Sequence, residues 1–217
     1  MNQNILEILL IAPPILFAIT IHEFSHGFIA DKLGDSTPRL SGRLTLNPLA
    51  HLDLVGTLMF FLVHIGWAKP VPVNPNNFQN PGKDMLWVAL AGPLSNLISA
   101  FVFGMLFRGL IFWGLPLVSQ EQLFLILEVL QILVFFNLIL AVFNAIPIFP
   151  LDGYQILSGL LPVQQSYEFS RFAPYGPFIL VGIILIGQMI GFPILWKIIG
   201  PCVQFLNFLF TGHQMSL

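Results

Sequence analysis

Two imidazoles and a carboxylate fall within little more than one helical turn in Ile19-Thr20-Ile21-His22-Glu23-Phe24-Ser25-His26-Gly27-Phe28. His22 and His26 are four residues apart, so on a helix they share one face, about one turn of rise from each other. Imidazoles at that spacing reach a single zinc ion, and Glu23 beside them is placed to take a proton from an activated water. The five-residue pattern recurs by chance; its setting makes it specific. Leu9 to Ala18 upstream and Phe28 to Ala30 downstream are almost wholly apolar. Ionisable groups in hydrocarbon cost on the order of 2.5 kcal/mol or more each, so three together need a compensating partner. A buried polar cluster satisfied by neighbouring helices is the alternative. A metal ion compensates all three groups at once.

The elements that position these residues read as membrane spans. Of the 217 residues, 56% are apolar and only 8% are charged, and the mean hydropathy is +0.86. A soluble domain carries about a quarter charged residues. The length accommodates one bundle of about five or six transmembrane helices at ~20 residues each. A net charge of −2 offers no basic face for nucleic acid. The single cysteine, Cys202, excludes an internal disulfide and reads as a small apolar filler. Met1–Leu10 lacks the basic start and cleavage site of a signal peptide, so the first span is expected to stay.

The first span is expected from about Ile5 to Leu33, with Pro13 and Pro14 kinking it or marking where regular helix begins. Leu40, Gly42, Leu44 and Leu46 alternate with polar residues, which predicts a short strand or hairpin. Leu52–Trp67 is too short to span and reads as a re-entrant or interfacial helix. The prolines from Pro70 to Pro81 suit an extended edge segment. Further spans are expected over Met85–Trp113 and Gln122–Ile146, then an amphipathic piece at Tyr154–Leu161 and a polar loop around Gln164–Arg171. Apolar runs at Phe178–Ile190 and Pro193–Phe210 close the chain. The fold class is therefore an all-α polytopic membrane protein with a small membrane-associated β-hairpin or re-entrant element after the first helix. It forms one domain over residues 1–217, its motifs in 5–153 and further helices in 154–217. Trp67, Trp87, Trp113 and Trp196 fall near span ends, as an aromatic belt requires.

Lys32, Arg39, Arg43, Lys69 and Lys83 lie between the end of the first full span and the start of the second. The positive-inside rule puts that region in the cytoplasm; Arg108, near the far end of the second span, counts weakly against it. A catalytic zinc needs three protein ligands and an open position. Asp152 is the outstanding candidate for the third. It follows Pro147 and Pro150 at the cytoplasmic end of the third span, in a segment forced out of helix, and Gly153 frees the backbone there. A turn aspartate at the lipid–water boundary is the alternative.

Three motifs in order carry a family resemblance: His22-Glu23-x-x-His26, Ala91-Gly92-Pro93-Leu94-Ser95-Asn96, and Asn144-x-x-Pro147-x-x-x-Leu151-Asp152-Gly153. Together they resemble the site-2 protease family of intramembrane zinc metalloproteases. Arg43–Pro48 and Gly66–Asn74 resemble its compact bacterial and archaeal branch, without a PDZ-type or nucleotide-binding appendage. The likeness spans roughly Ile19 to Gly153, and Tyr154 departs from the small residue many relatives carry there.

The resemblance implies one zinc per chain held by His22, His26 and Asp152, with Glu23 as catalytic base. It also implies a transmembrane protein substrate cut within the lipid bilayer, in the cytoplasmic membrane of a prokaryote, with the active site toward the cytoplasm. Family precedent makes Asn144 a holder of substrate or of the developing oxyanion; an interhelical hydrogen bond is the alternative. Asn96 carries the same ambiguity between substrate binding and structure, with structure ahead. His51, His64 and His213 read as interfacial histidines. A non-catalytic transporter or scaffold with a structural zinc is the rival function, opposed by Glu23, which a structural site does not need. A di-iron oxygenase needs several histidine-rich boxes, and five histidines with one paired motif do not supply them. A serine intramembrane protease needs a buried Ser–His pair with a Gly-x-Ser loop, and that combination is not found.

Overall fold

A computed structural model describes residues 3–63, 66–114 and 118–214. Three long helices form its frame: α1 (Gln3–Lys32), α4 (Pro81–Trp113) and α5 (Gln120–Asn144). Between α1 and α4 lie the short helices α2 (Thr37–Leu40) and α3 (Leu54–Val63). After α5 come α6 (Asp152–Leu160), α7 (Val163–Ser170), α8 (Gly176–Met189) and α9 (Ile194–Thr211). Four stretches are long and apolar enough to cross a membrane: α4, α5, the α7–α8 run Val163–Met189, and α9. At 30 residues α1 also has the length, about 45 Å.

α1 packs on α4 and α5, α4 packs along α5, and α9 lies against both α4 and α5. The apolar centre is Ala100 of α4, Val134 and Leu138 of α5, and Val203 of α9, flanked by Trp196 and Phe135. Trp196, the third residue of α9, is partly buried against this core, whereas Trp67, Trp87 and Trp113 are exposed. Glycine sets the closest approach here, since a Cβ on Gly104 would meet Phe210 at 2.7 Å. Ser119 starts α5 with a reciprocal capping box to Gln122. Pro13 and Pro14 lie within α1 without ending it.

The expected β-hairpin is absent: among the described residues there is no strand, only one antiparallel bridge between Leu52 and Ala68. The alternation of Leu40, Gly42, Leu44 and Leu46 loses to local turn chemistry. Pro38 begins a helical turn, Asp35 accepts from the Thr37 amide, and the Gly42 and Arg43 amides bond back to Arg39 and Pro38. Gly42 then turns the chain at φ 69°. With no second arm to pair with, Leu40 and Leu46 stay exposed.

α3, ten residues long, covers only about 15 Å and cannot span. α1 and α5 therefore end on the same face of the bundle, where α4 begins. The expected polar loop around Gln164–Arg171 is instead α7, tied to α6 by the Ser158–Ser166 hydroxyl pair at 2.7 Å.

Candidate metal centre

α1 turns both histidines toward the first turns of α4. Their rings meet edge to face with centroids 4.6 Å apart. Gly92 makes the room: a Cβ there would lie 2.7 Å from His22 Cε1 and would collide with the His26 ring. Asp152 comes in as the first residue of α6. Its Oδ2 sits 3.0 Å from His22 Nε2 and 3.3 Å from His26 Nε2, and the three ligand-type atoms lie within 4.8 Å of one another. Gly153 has a different part from the one its sequence suggests. It has no left-handed φ; a Cβ on it would strike the carbonyls of Ala145 and Ile146, so it lets α6 start hard against the end of α5.

The far nitrogens of both rings are already engaged. His26 Nδ1–H donates to the Val88 carbonyl at 2.7 Å. His22 Nδ1–H donates to Asn96 Oδ1 at 2.6 Å. The amide of Asn96 in turn donates to the Ala18 carbonyl at 2.9 Å and to Asn137 Oδ1 at 2.8 Å. Asn137 donates to the Leu133 carbonyl, also at 2.8 Å. A carbonyl only accepts, and each amide has one donor end, so this chain fixes the proton on Nδ1 of each neutral ring. Both Nε2 lone pairs then point at a carboxylate oxygen that is itself buried without a hydrogen-bond donor. Three acceptors converging on one point repel unless a proton or a metal cation lies between them. Two neutral imidazoles and a carboxylate, each ring braced from behind, form the donor set a catalytic zinc takes.

Glu23, partly buried, accepts a hydrogen bond at Oε2 from the Val71 amide at 3.0 Å. Asn144 is the last residue of α5 and donates through Nδ2 to its own helix at the Leu140 carbonyl, 3.0 Å away. It lies outside the converging set. Asn96 is wholly buried behind His22. His51 is also fully buried, donating through Nε2 to the Thr45 carbonyl at 2.8 Å. The ring of His213 packs on Phe107 in the C-terminal half of α4, and His64 lies outside the described residues. Sequence reasoning passed over Gly92 as a steric notch, although it stood inside a recognised motif. The Val88 carbonyl and Val71 amide are backbone groups, for which no residue type is a signal.

The extended segment Val71–Asn74 has few backbone donors left for an incoming strand. The amides of Val71 and Asn74 are bound by Glu23 and by Asp35, and Pro72 has none.

The profile of peptidase family M50 matches residues 115–187, the part that carries Asn144 and Asp152. YwhC of Bacillus subtilis (strain 168), whose name describes a zinc metalloprotease, is 35% identical over 190 residues, covering 85% of this chain and 83% of YwhC. Rip2 of Mycolicibacterium smegmatis (strain ATCC 700084 / mc(2)155), with a name of the same kind, is 30% identical over 176 residues, 79% of this chain and 64% of Rip2. No solved structure gives a significant match. Identity at this level, over most of both chains in the first case, means that the chain belongs to peptidase family M50, the site-2 protease family.

Proposed function

We propose that this chain is an intramembrane zinc metalloprotease that hydrolyses peptide bonds in the transmembrane segments of membrane-protein substrates. Membership of a zinc metalloprotease family and helices of membrane length support the coarser part. The finer part rests on the convergence of His22 Nε2, His26 Nε2 and Asp152 Oδ2, with both Nδ1 atoms held from behind. In this reading those three residues hold one zinc per chain. When bound, zinc polarises the scissile carbonyl and acidifies water.

The chain's own residues supply the rest. Glu23, one residue along α1 from His22, takes the proton from the attacking water and returns it to the leaving amine. Asn96 and the Val88 carbonyl keep both imidazoles in the ligating tautomer. Asn144 has a second amide hydrogen beyond the one given to Leu140, a neutral donor for the developing oxyanion.

His22 and His26 lie ten and six residues before the end of α1, about 9–15 Å below it at 1.5 Å per residue. Water and substrate therefore enter from the face where α1 and α5 end, the cytoplasmic face of a bacterial membrane in this reading. A substrate helix must unwind there, because its carbonyls are engaged in helical hydrogen bonds. Residues 1–217 act as one protease domain, and a structural-zinc scaffold would have no use for Glu23.

Asp152→Ala in the purified protein tests the ligand set. The expected result is a fall from about one zinc per chain to a small fraction, with cleavage lost. Full zinc retention would remove Asp152 from the site.

A further inference from the structure

The segment Ala68–Asn74 is a strap bound to the rest of the fold through its backbone. The Lys69 amide donates to the His51 carbonyl at 2.9 Å, and the Lys69 carbonyl accepts from Arg43. At the far end the Asn74 amide donates to Asp35 Oδ2 at 2.7 Å. Between these anchors Val71 crosses α1 at Glu23. The Val71 amide donates to Glu23 Oε2 at 3.0 Å. One turn further along α1, Gly27 makes the notch for the Val71 side chain: a Cβ there would lie 3.3 Å from Val71 Cγ1 and 3.2 Å from Pro38 Cβ. Pro70 and Pro72 carry no N–H, so over residues 70–72 the strap has one donor, and it is aimed at Glu23.

A glutamate on a helix has three side-chain torsions to fix before one oxygen can face a water. A donor held on a strap anchored at both ends fixes them by engaging one oxygen and leaving the other free. We propose that the Val71 backbone amide is a positioning group for Glu23, holding Oε2 so that Oε1 is the oxygen that takes and returns the proton. This rests on Glu23 being the base. The prolines then have a purpose: they keep the strap extended and offer no competing donor.

The test compares wild type, Val71→Ala, Val71→Pro and Glu23→Gln as purified, zinc-loaded protein cleaving one transmembrane substrate. Val71→Ala keeps the amide, and kcat is expected to stay within about threefold of wild type. Val71→Pro removes it, and kcat is expected to fall roughly ten- to a hundredfold with KM nearly unchanged and zinc content retained. Wild-type kcat in Val71→Pro, a rise in kcat, or an equal loss in both Val71 variants would each overturn the proposal. Cleavage by Glu23→Gln at the wild-type rate would instead overturn the base assignment beneath it.

Hydrogen exchange keeps the proposal falsifiable if Val71→Pro does not fold. The Val71 amide is expected to be protected in wild type and in Glu23→Gln, whose side-chain carbonyl still accepts, and to lose that protection in Glu23→Ala. Equal protection in all three proteins would overturn the contact.

Discussion

His22 and His26 are each committed at one ring nitrogen before any ligand arrives, and that commitment gives the pair its chemistry. Asn96 is the more informative brace because it belongs to a buried chain running through Asn137 to the Leu133 carbonyl. Its replacement by Ala leaves His22 free to turn or change tautomer, and outer-shell losses of this kind cost about 10–100-fold in metal affinity. Chelator titration of Asn96→Ala against wild type is expected to show that loss; an unchanged affinity would make Asn96 a packing residue only. That His22 and His26 face one point was legible from residue type and spacing alone. The partner of His22 was not, because Asn96 lies 74 positions away, and only the packing of α4 on α1 brings the two together.

At the scale of elements, two glycines decide whether His22, His26 and Asp152 can meet. Gly92 lets α4 approach both rings, and Gly153 lets α6 begin against the last carbonyls of α5. Gly92→Ala is expected to lower zinc content several-fold with helical circular dichroism intact, because the atoms nearest the added methyl are those of the two histidine rings. Gly82→Ala, at the exposed start of the same helix with nothing near its Cβ, is the control and is expected to bind zinc normally. The long helices were readable because their apolar runs exceed what a soluble helix carries. The hairpin was misread because alternation over Leu40–Leu46 mimics a strand, while Asp35 and Pro38 dictate a turn. α7 was missed because a short polar helix has no apolar period to announce it.

Across the whole molecule, one turn at the end of α1 ties the strap to the bundle. Asp35 is fully buried and accepts from the Thr37 amide and hydroxyl, the Asn74 amide and the Asn77 side chain. Burial pushes its carboxyl up, but the hydrogen bonds from Thr37, Asn74 and Asn77 outweigh that and hold it below the usual carboxylate range. A depressed folded-state value stabilises the fold above the unfolded value near 3.9 and ceases to do so as pH falls through the folded one. Protection of the Asn74 amide, relative to intrinsic exchange at each pH, is therefore expected to hold near neutrality and to fall at pH below about 4. In Asp35→Asn the Asn74 amide is expected to be weakly protected at every pH, having lost a charged acceptor worth about 1–3 kcal/mol. An Asn74 amide equally protected in both proteins would mean that Asp35 does not anchor the strap. Lys32, Arg39, Arg43, Lys69 and Lys83 all lie from the last residue of α1 to the first turn of α4, the charge bias from which the sequence predicts a cytoplasmic face.

The central claim is that this bundle uses Glu23 to drive hydrolysis at a zinc held by His22, His26 and Asp152. Its most direct test is a paired measurement on freshly purified wild type and Glu23→Gln in detergent: zinc per chain, and cleavage of a panel of transmembrane-helix substrates. Both proteins are expected to hold about one zinc, with cleavage by wild type and a loss of several orders of magnitude in Glu23→Gln. Wild type purified without zinc, or Glu23→Gln cleaving as fast as wild type, would contradict it.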